Sequence, residues 1–261
     1  MDKTSLDRML DWLHGLSALE QLAVVAAHGL VVFLISFLFL KAFNSLSRGQ
    51  VMAWTPVGPF FAAVCMIFAL FLAFHAASIW QSKRDAERAF IQAGNAIRAF
   101  EEMVSPGQLD DRGARGALRR YVTAVTQAEW GDQRNDEASD RSEARFIELH
   151  SSVIRLAAQH PGATGARLYA LLHDVARTRS DRLWIGRSHT EVMSWLGVLL
   201  LGFAAHLAVA SVHFDRPRAG AVALALFAMA TTIAYWSLGV VDDPYRDFGS
   251  LNPASWLSPT N

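Results

Sequence analysis

Four stretches of the 261-residue sequence contain no Asp, Glu, Lys or Arg: residues 21–40, 59–81, 192–214 and 219–241. A helix rises about 1.5 Å per residue, so about 20 apolar residues cross a hydrocarbon core of about 30 Å. Helices in the cores of soluble domains are shorter and keep a polar face. The four stretches therefore read as transmembrane helices, and the chain as an all-α integral membrane protein. The first apolar run is too long for a cleaved signal, and no small-residue cleavage site follows it. Trp54, Trp80, Trp195, Tyr235 and Trp236 fall near span ends, where amphipathic rings favour the interface.

Between spans two and three the charges are dense and mixed, and the apolar residues recur at three- and four-residue steps. Ala86, Phe90, Ala93, Ile97, Phe100 and Val104 form one such stripe, which continues span two as a single long helix until Ser105-Pro106-Gly107 stops it. Three further helices follow, ending near Trp130-Gly131, near His160-Pro161-Gly162 and at span three. The expected organisation is an N-terminal segment (1–19), spans one and two (20–81), a helical insert (82–191), spans three and four (192–241) and a C-terminal tail (242–261). Four spans put both termini and the insert on one side. Near span ends that side carries Lys3, Arg8, Lys83, Arg84, Arg88, Arg179, Arg182, Arg187 and Arg246, against Lys41, Arg48, Arg216 and Arg218 in the short loops. The excess places the termini and the insert in the cytoplasm of a multi-pass protein of the plasma (inner) membrane.

Several function classes fall away. Lys+Arg 24 balances Asp+Glu 24, unlike the basic excess of a nucleic-acid binder. One cysteine excludes an intrachain disulfide framework. No nucleotide-binding glycine loop, zincin helix or nucleophile elbow is present, so no enzyme, catalytic residue, metal or cofactor is expected. The informative residues lie in the spans. His28, His75 and His206 occupy spans one, two and three, where ionisable groups are costly and mark function or interhelical hydrogen bonding. Counting depth from the span ends puts His28 and His75 at one level, near the cytoplasmic side, and His206 nearer the other.

At about 100° per residue, Phe60, Val64, Ile67, Phe71, His75 and Ser78 share one face of span two. Ala62, Ala69, Ala73 and Ala76 lie opposite and suit close packing on neighbouring spans. The phenylalanine face then meets either lipid or a pore axis. In the second case those six residues line the pore, and a ring of Phe71 gates it by dewetting. After span four, Asp242, Asp243 and Asp247 are a candidate oxygen-ligand set for an ion, or else a solvated turn at Pro244.

The order of two spans, helical insert and two spans is joined by local runs. These are Phe74…Trp80 followed by Ala86-Glu87, Arg120-Tyr121-Val122…Glu129-Trp130, and Asp242-x-Pro244-Tyr245. In these features the chain resembles the prokaryotic bestrophin-like membrane proteins. It departs from their pattern at Gln92, where an acid is expected, and at Asp247, where a glycine is. The bestrophins proper are pentameric anion channels whose second span lines a pore with a hydrophobic neck. The resemblance thus implies a homo-oligomer in the lipid bilayer, a pentamer, passing inorganic anions. The alternative is a non-conducting membrane protein whose cytoplasmic helical insert binds a partner or senses a signal.

Overall fold

The computed structural model describes residues 12–13, 15–47, 58–109, 111–132, 135, 137–187, 192–245 and 251–257. Lys3, Arg8, Arg48, Trp54, Arg246 and Asp247 lie outside the described residues, as does the side chain of Arg187. Seven α-helices are described: α1 (Ala18–Ser47), α2 (Gly58–Met103), α3 (Arg112–Ala124), α4 (Asp140–Gln159), α5 (Ala163–Arg187), α6 (Val192–Val212) and α7 (Pro217–Val241). A π-helical segment, Val125–Asp132, extends α3, and a 3₁₀ turn covers Pro253–Trp256. No strand occurs among the described residues. Helices α1, α2, α6 and α7 are each long and apolar enough to cross a membrane.

Two compact units divide the chain. Residues 1–80 and 190–242 form the membrane unit, and residues 81–189 and 243–261 form the second. Helix α2 runs unbroken for 46 residues and contributes to both, as the stripe after Trp80 requires.

In the membrane unit, a capping box starts α1: Ser17 N donates to Glu20 Oε2 at 2.7 Å, and Glu20 N donates back to Ser17 Oγ at 3.3 Å. Pro217 occupies the first turn of α7, where its missing N–H costs nothing. One apolar cluster joins Leu40, Val209, Ala210, Phe214 and Leu224, with Phe43 edge-on to Phe214 at 5.0 Å. A second joins Phe68, Val198, Ala205 and Tyr235. Exposed apolar residues such as Leu34 and Leu38 of α1 and Leu226 and Met229 of α7 suit a lipid environment.

In the second unit, the Ala86–Val104 stripe is the core face of α2: Ala86, Phe100 and Val104 are fully buried. Leu118 and Val122 of α3, Leu149 and Val153 of α4, and Leu168 and Leu172 of α5 close around it. Gly107 sits at φ +93°, a left-handed conformation that glycine adopts without a Cβ penalty, and there the chain turns away from α2. Asp111 then caps α3 through Ala114 N at 2.6 Å, and Ser139 caps α4 through Ser142 N at 3.1 Å. The 3₁₀ turn belongs to this unit. Its Trp256 is 2% exposed and packs with Phe90 and Trp130 at ring distances of 5.2 and 5.6 Å.

Candidate pore face on the second span

Helix α2 packs within the membrane unit along one edge. Phe68 is buried, edge-on to Phe227 at 6.1 Å and to Tyr235 at 6.5 Å. Val64, Cys65 and Leu72 join the same cluster. The small residues that admit this edge are glycines of α6. A Cβ on Gly197 would lie 2.9 Å from the Phe71 ring, and one on Gly202 would lie 1.9 Å from Tyr235 Oη and 3.2 Å from Phe68.

The six pore-face residues named from sequence are therefore divided. Phe60, Ile67 and Ser78 are exposed, Phe71 is 38% exposed with one side on Gly197, and Val64 is half-buried. His75 is turned into the unit, at 2% exposure. Its Nδ1 lies 2.8 Å from Ser194 Oγ, and its ring stands edge-on to Trp195 at 4.6 Å. Trp195 Nε1 donates in turn to Asp242 Oδ2 at 2.8 Å. His75 thus ties the end of α2's membrane half to α6 rather than facing outward. The alanine face also differs from expectation: within one chain Ala62, Ala69 and Ala73 are exposed and only Ala76 is half-buried. Polarity could not distinguish these faces beforehand, because lipid is as apolar as a phenylalanine ring.

Depth counting from the span ends paired the wrong histidines. His28 and His206 line one cavity, while His75 bonds to Ser194. His28 lies ten residues into α1 and His206 fourteen into α6. The difference of about four residues is only about 6 Å of rise, within side-chain reach.

Of the acidic trio, Asp242 and Asp243 are described and Asp247 lies outside the described residues. Asp242 is buried and accepts from Trp195. Asp243 is buried and accepts from Tyr245 N at 3.1 Å, an Asx-type turn. Among the described residues no group of three or more His, Cys, Asp and Glu is placed to hold a metal ion.

A buried ionic cluster in the second unit escaped the sequence reading. Glu129, on the π-helical segment, is fully buried, and Arg182 of α5 is 1% exposed. Arg182 donates to Glu129 and to Asn135 Oδ1, and Ser142 Oγ donates to Glu129. Arg179 pairs with Glu143 at 2.8 Å and lies 3.6 Å from Glu129. Trp130 lies 5.3 Å beneath the Arg182 guanidinium, and Phe146 lies 5.2 Å beneath that of Arg179. Burial pushes the Tyr121 hydroxyl up to about 12, against the opposing pull of Arg182 and Arg179. The Glu129-Trp130 pair was visible as a motif, but its partners lie about 50 residues along the chain.

The model of the bestrophin-like domain matches residues 23–256. A crystal structure of a bacterial bestrophin homologue from Klebsiella pneumoniae, obtained by Zn-SAD phasing, superimposes with a TM-score of 0.65 at 12% identity, covering 90% of this chain and 93% of that one. A second crystal structure of a bacterial bestrophin homologue from that organism, carrying a mutation, gives 0.63 at 13% identity, covering 92% and 94%. At such identities the likeness is one of fold. No curated protein matches the sequence. With nearly its whole length matched by the family model, the chain belongs to the bestrophin-like family.

Proposed function

We propose that the protein is an oligomeric ion channel whose pore is lined by the membrane half of α2. The carrying observation is the incomplete cover of that helix. In its most apolar 18-residue window only 11% is buried, against 17% in α1, 33% in α6 and 28% in α7. Four spans cannot surround a pore alone, so copies must close a ring through one repeated head-to-tail contact.

The wheel of α2 suggests how. Taking the packed edge through Phe68 as zero, Phe60, Ile67 and Phe71 fall about 60–100° to one side, and Ala62 and Ala69 about 100–120° to the other. The bulky edge of one copy fits the alanine edge of the next. Met66, Leu70, Ala73 and Ala77, all exposed, are then left facing the axis. This turns the pore line away from the Phe60–Ser78 set expected from sequence and gives His75 a positioning role. A neck at Met66 and Leu70 would be apolar and would exclude water unless widened. Anion conduction and a pentameric ring are proposed from the family likeness, and the cytoplasmic placing of the insert from the Lys and Arg excess.

Purified protein reconstituted in planar bilayers provides the test. The expected result is an oligomeric mass in detergent and anion-selective current, with Leu70→Ala raising unitary conductance more than Phe71→Ala does. A monomeric mass, or oligomers without current, would overturn the channel reading and leave the insert as a partner-binding or sensing domain. A larger effect of Phe71→Ala would return the axis to the Phe60–Ser78 face.

A further inference from the structure

A cavity lies among α1, α6 and α7, with no lining residue on α2. His28, Phe203, His206, Thr231, Thr232 and Tyr235 line it, and it offers about 10 Å³ to the centre of a water-sized molecule, space for roughly one. The bare Cα of Gly29 creates part of this space, since a Cβ there would lie 2.2 Å from Thr232 Oγ1.

Three polar groups of the lining have their protons engaged within the protein. His206 is 2% exposed, and its Nδ1 lies 2.8 Å from Gly202 O. A carbonyl only accepts, so Nδ1 carries the proton, and Nε2 of the neutral ring is a bare acceptor. That Nε2 is buried and has no protein partner. Thr231 Oγ1 spends its proton on Phe227 O and Ala228 O, at 3.0 and 3.1 Å. Tyr235 Oη spends its own on Val198 O at 3.3 Å. Three of the polar groups therefore present lone pairs only. His28, exposed on α1, stands beside Tyr235 with ring centroids 6.3 Å apart. In hydrocarbon each unmet polar atom costs free energy that a donor of the right size restores.

We infer that this cavity is a binding site for one water-sized hydrogen-bond donor, water or ammonium, held by His206 Nε2 within the membrane unit. The occupant bridges α6 to α1 and α7, adding to the direct bond from Tyr235 Oη to Val198 O. The site does not depend on the channel reading, since none of its residues lies on α2.

The test is magic-angle-spinning NMR of the full chain, uniformly labelled with ¹³C and ¹⁵N, in lipid vesicles. Correlations to Ala205 and Leu207 assign His206 without a variant. The expected spectrum shows a protonated Nδ1, an unprotonated Nε2 and a cross-peak from a mobile donor to the Nε2 side of the ring. In the first arm, in sodium buffer, that donor is water. In the second, ¹⁵N-ammonium replaces sodium at the same pH: displacement of the water cross-peak by an ammonium contact identifies an ammonium site, and its persistence identifies a water site. A protonated Nε2, or a ring without a donor contact in either arm, would overturn the inference. His206→Phe should abolish the cross-peak; if that variant does not fold, the wild-type spectrum decides alone.

Discussion

The pairing of Glu129 with Arg182 can be tested sharply because both groups are almost fully out of water. Replacing Glu129 by Gln keeps the volume and removes the charge. Arg182, 1% exposed, is then a buried cation held by neutral acceptors only, Asn135 and the new amide among them, with no carboxylate bonded to it. Breaking a buried ion pair from one side costs about 3–5 kcal/mol, because the stranded charge keeps its desolvation penalty. A domain's whole stability is about 5–15 kcal/mol. At about 2–4 °C per kcal/mol for a chain of this size, the melting temperature should fall by roughly 6–20 °C. Thermal unfolding in detergent is read conveniently by tryptophan fluorescence, since Trp130 lies under the Arg182 guanidinium. Glu148→Gln is the matched control: it also removes a carboxylate paired with arginines, Arg120 and Arg145, but at the surface. Surface pairs contribute little, so that variant should melt with the wild type. Removing both buried charges, by Glu129→Gln with Arg182→Met, should recover part of the loss. If E129Q melts with E148Q, the cluster is not a closed ionic pair and the cost argument fails.

Two further variants probe the second unit. A Cβ on Gly94 would meet Trp256 Cδ1 at 2.7 Å, so Gly94→Ala should cost about 1–3 kcal/mol by overpacking. The cost should vanish in a Trp256→Ala background; an equal cost in both backgrounds, by thermal melts, would place its origin elsewhere. Tyr121, 2% exposed, has its hydroxyl raised by burial to about 12 from the usual 10.0 of a tyrosine. A raised pKa means that the folded state holds the proton more tightly. The stability so contributed is complete below pH 10 and is lost as pH climbs through about 12, by about 2–3 kcal/mol. Tyr121→Phe should flatten the fall in melting temperature across that window, and an unchanged slope would refute the assignment.

Local signals in the sequence carried the architecture. The charge-free runs became α1, α2, α6 and α7, and the stripe from Ala86 to Val104 became the core face of α2. Ser105-Pro106-Gly107 became the turn at which Gly107 adopts a positive φ. Each of these reads from residues within a few turns of one another. The face that α2 buries was not legible, for a reason specific to membranes. In water an apolar face points inward, but in lipid Phe68 and Phe74 are equally at ease inside or out, so only fit decides. The fit comes from Gly197 and Gly202, more than 120 positions away, whose missing side chains admit Phe71, Phe68 and Tyr235.

The same distance hides the polar sites. Glu129 and Arg182 are 53 positions apart, and His75 and Ser194 are 119 apart. Each of these residues, taken singly, reads as a solvated charge or a helix-bonding histidine. Their chemistry exists only once the helices are packed. A buried carboxylate between two arginines has its charge answered, whereas a buried imidazole with its proton already donated is an acceptor awaiting a donor. The donor site proposed at His206 follows from that difference. Asp242 and Asp243 already accept from Trp195 and from Tyr245 N, while His206 lines a cavity and its buried Nε2 has no protein partner.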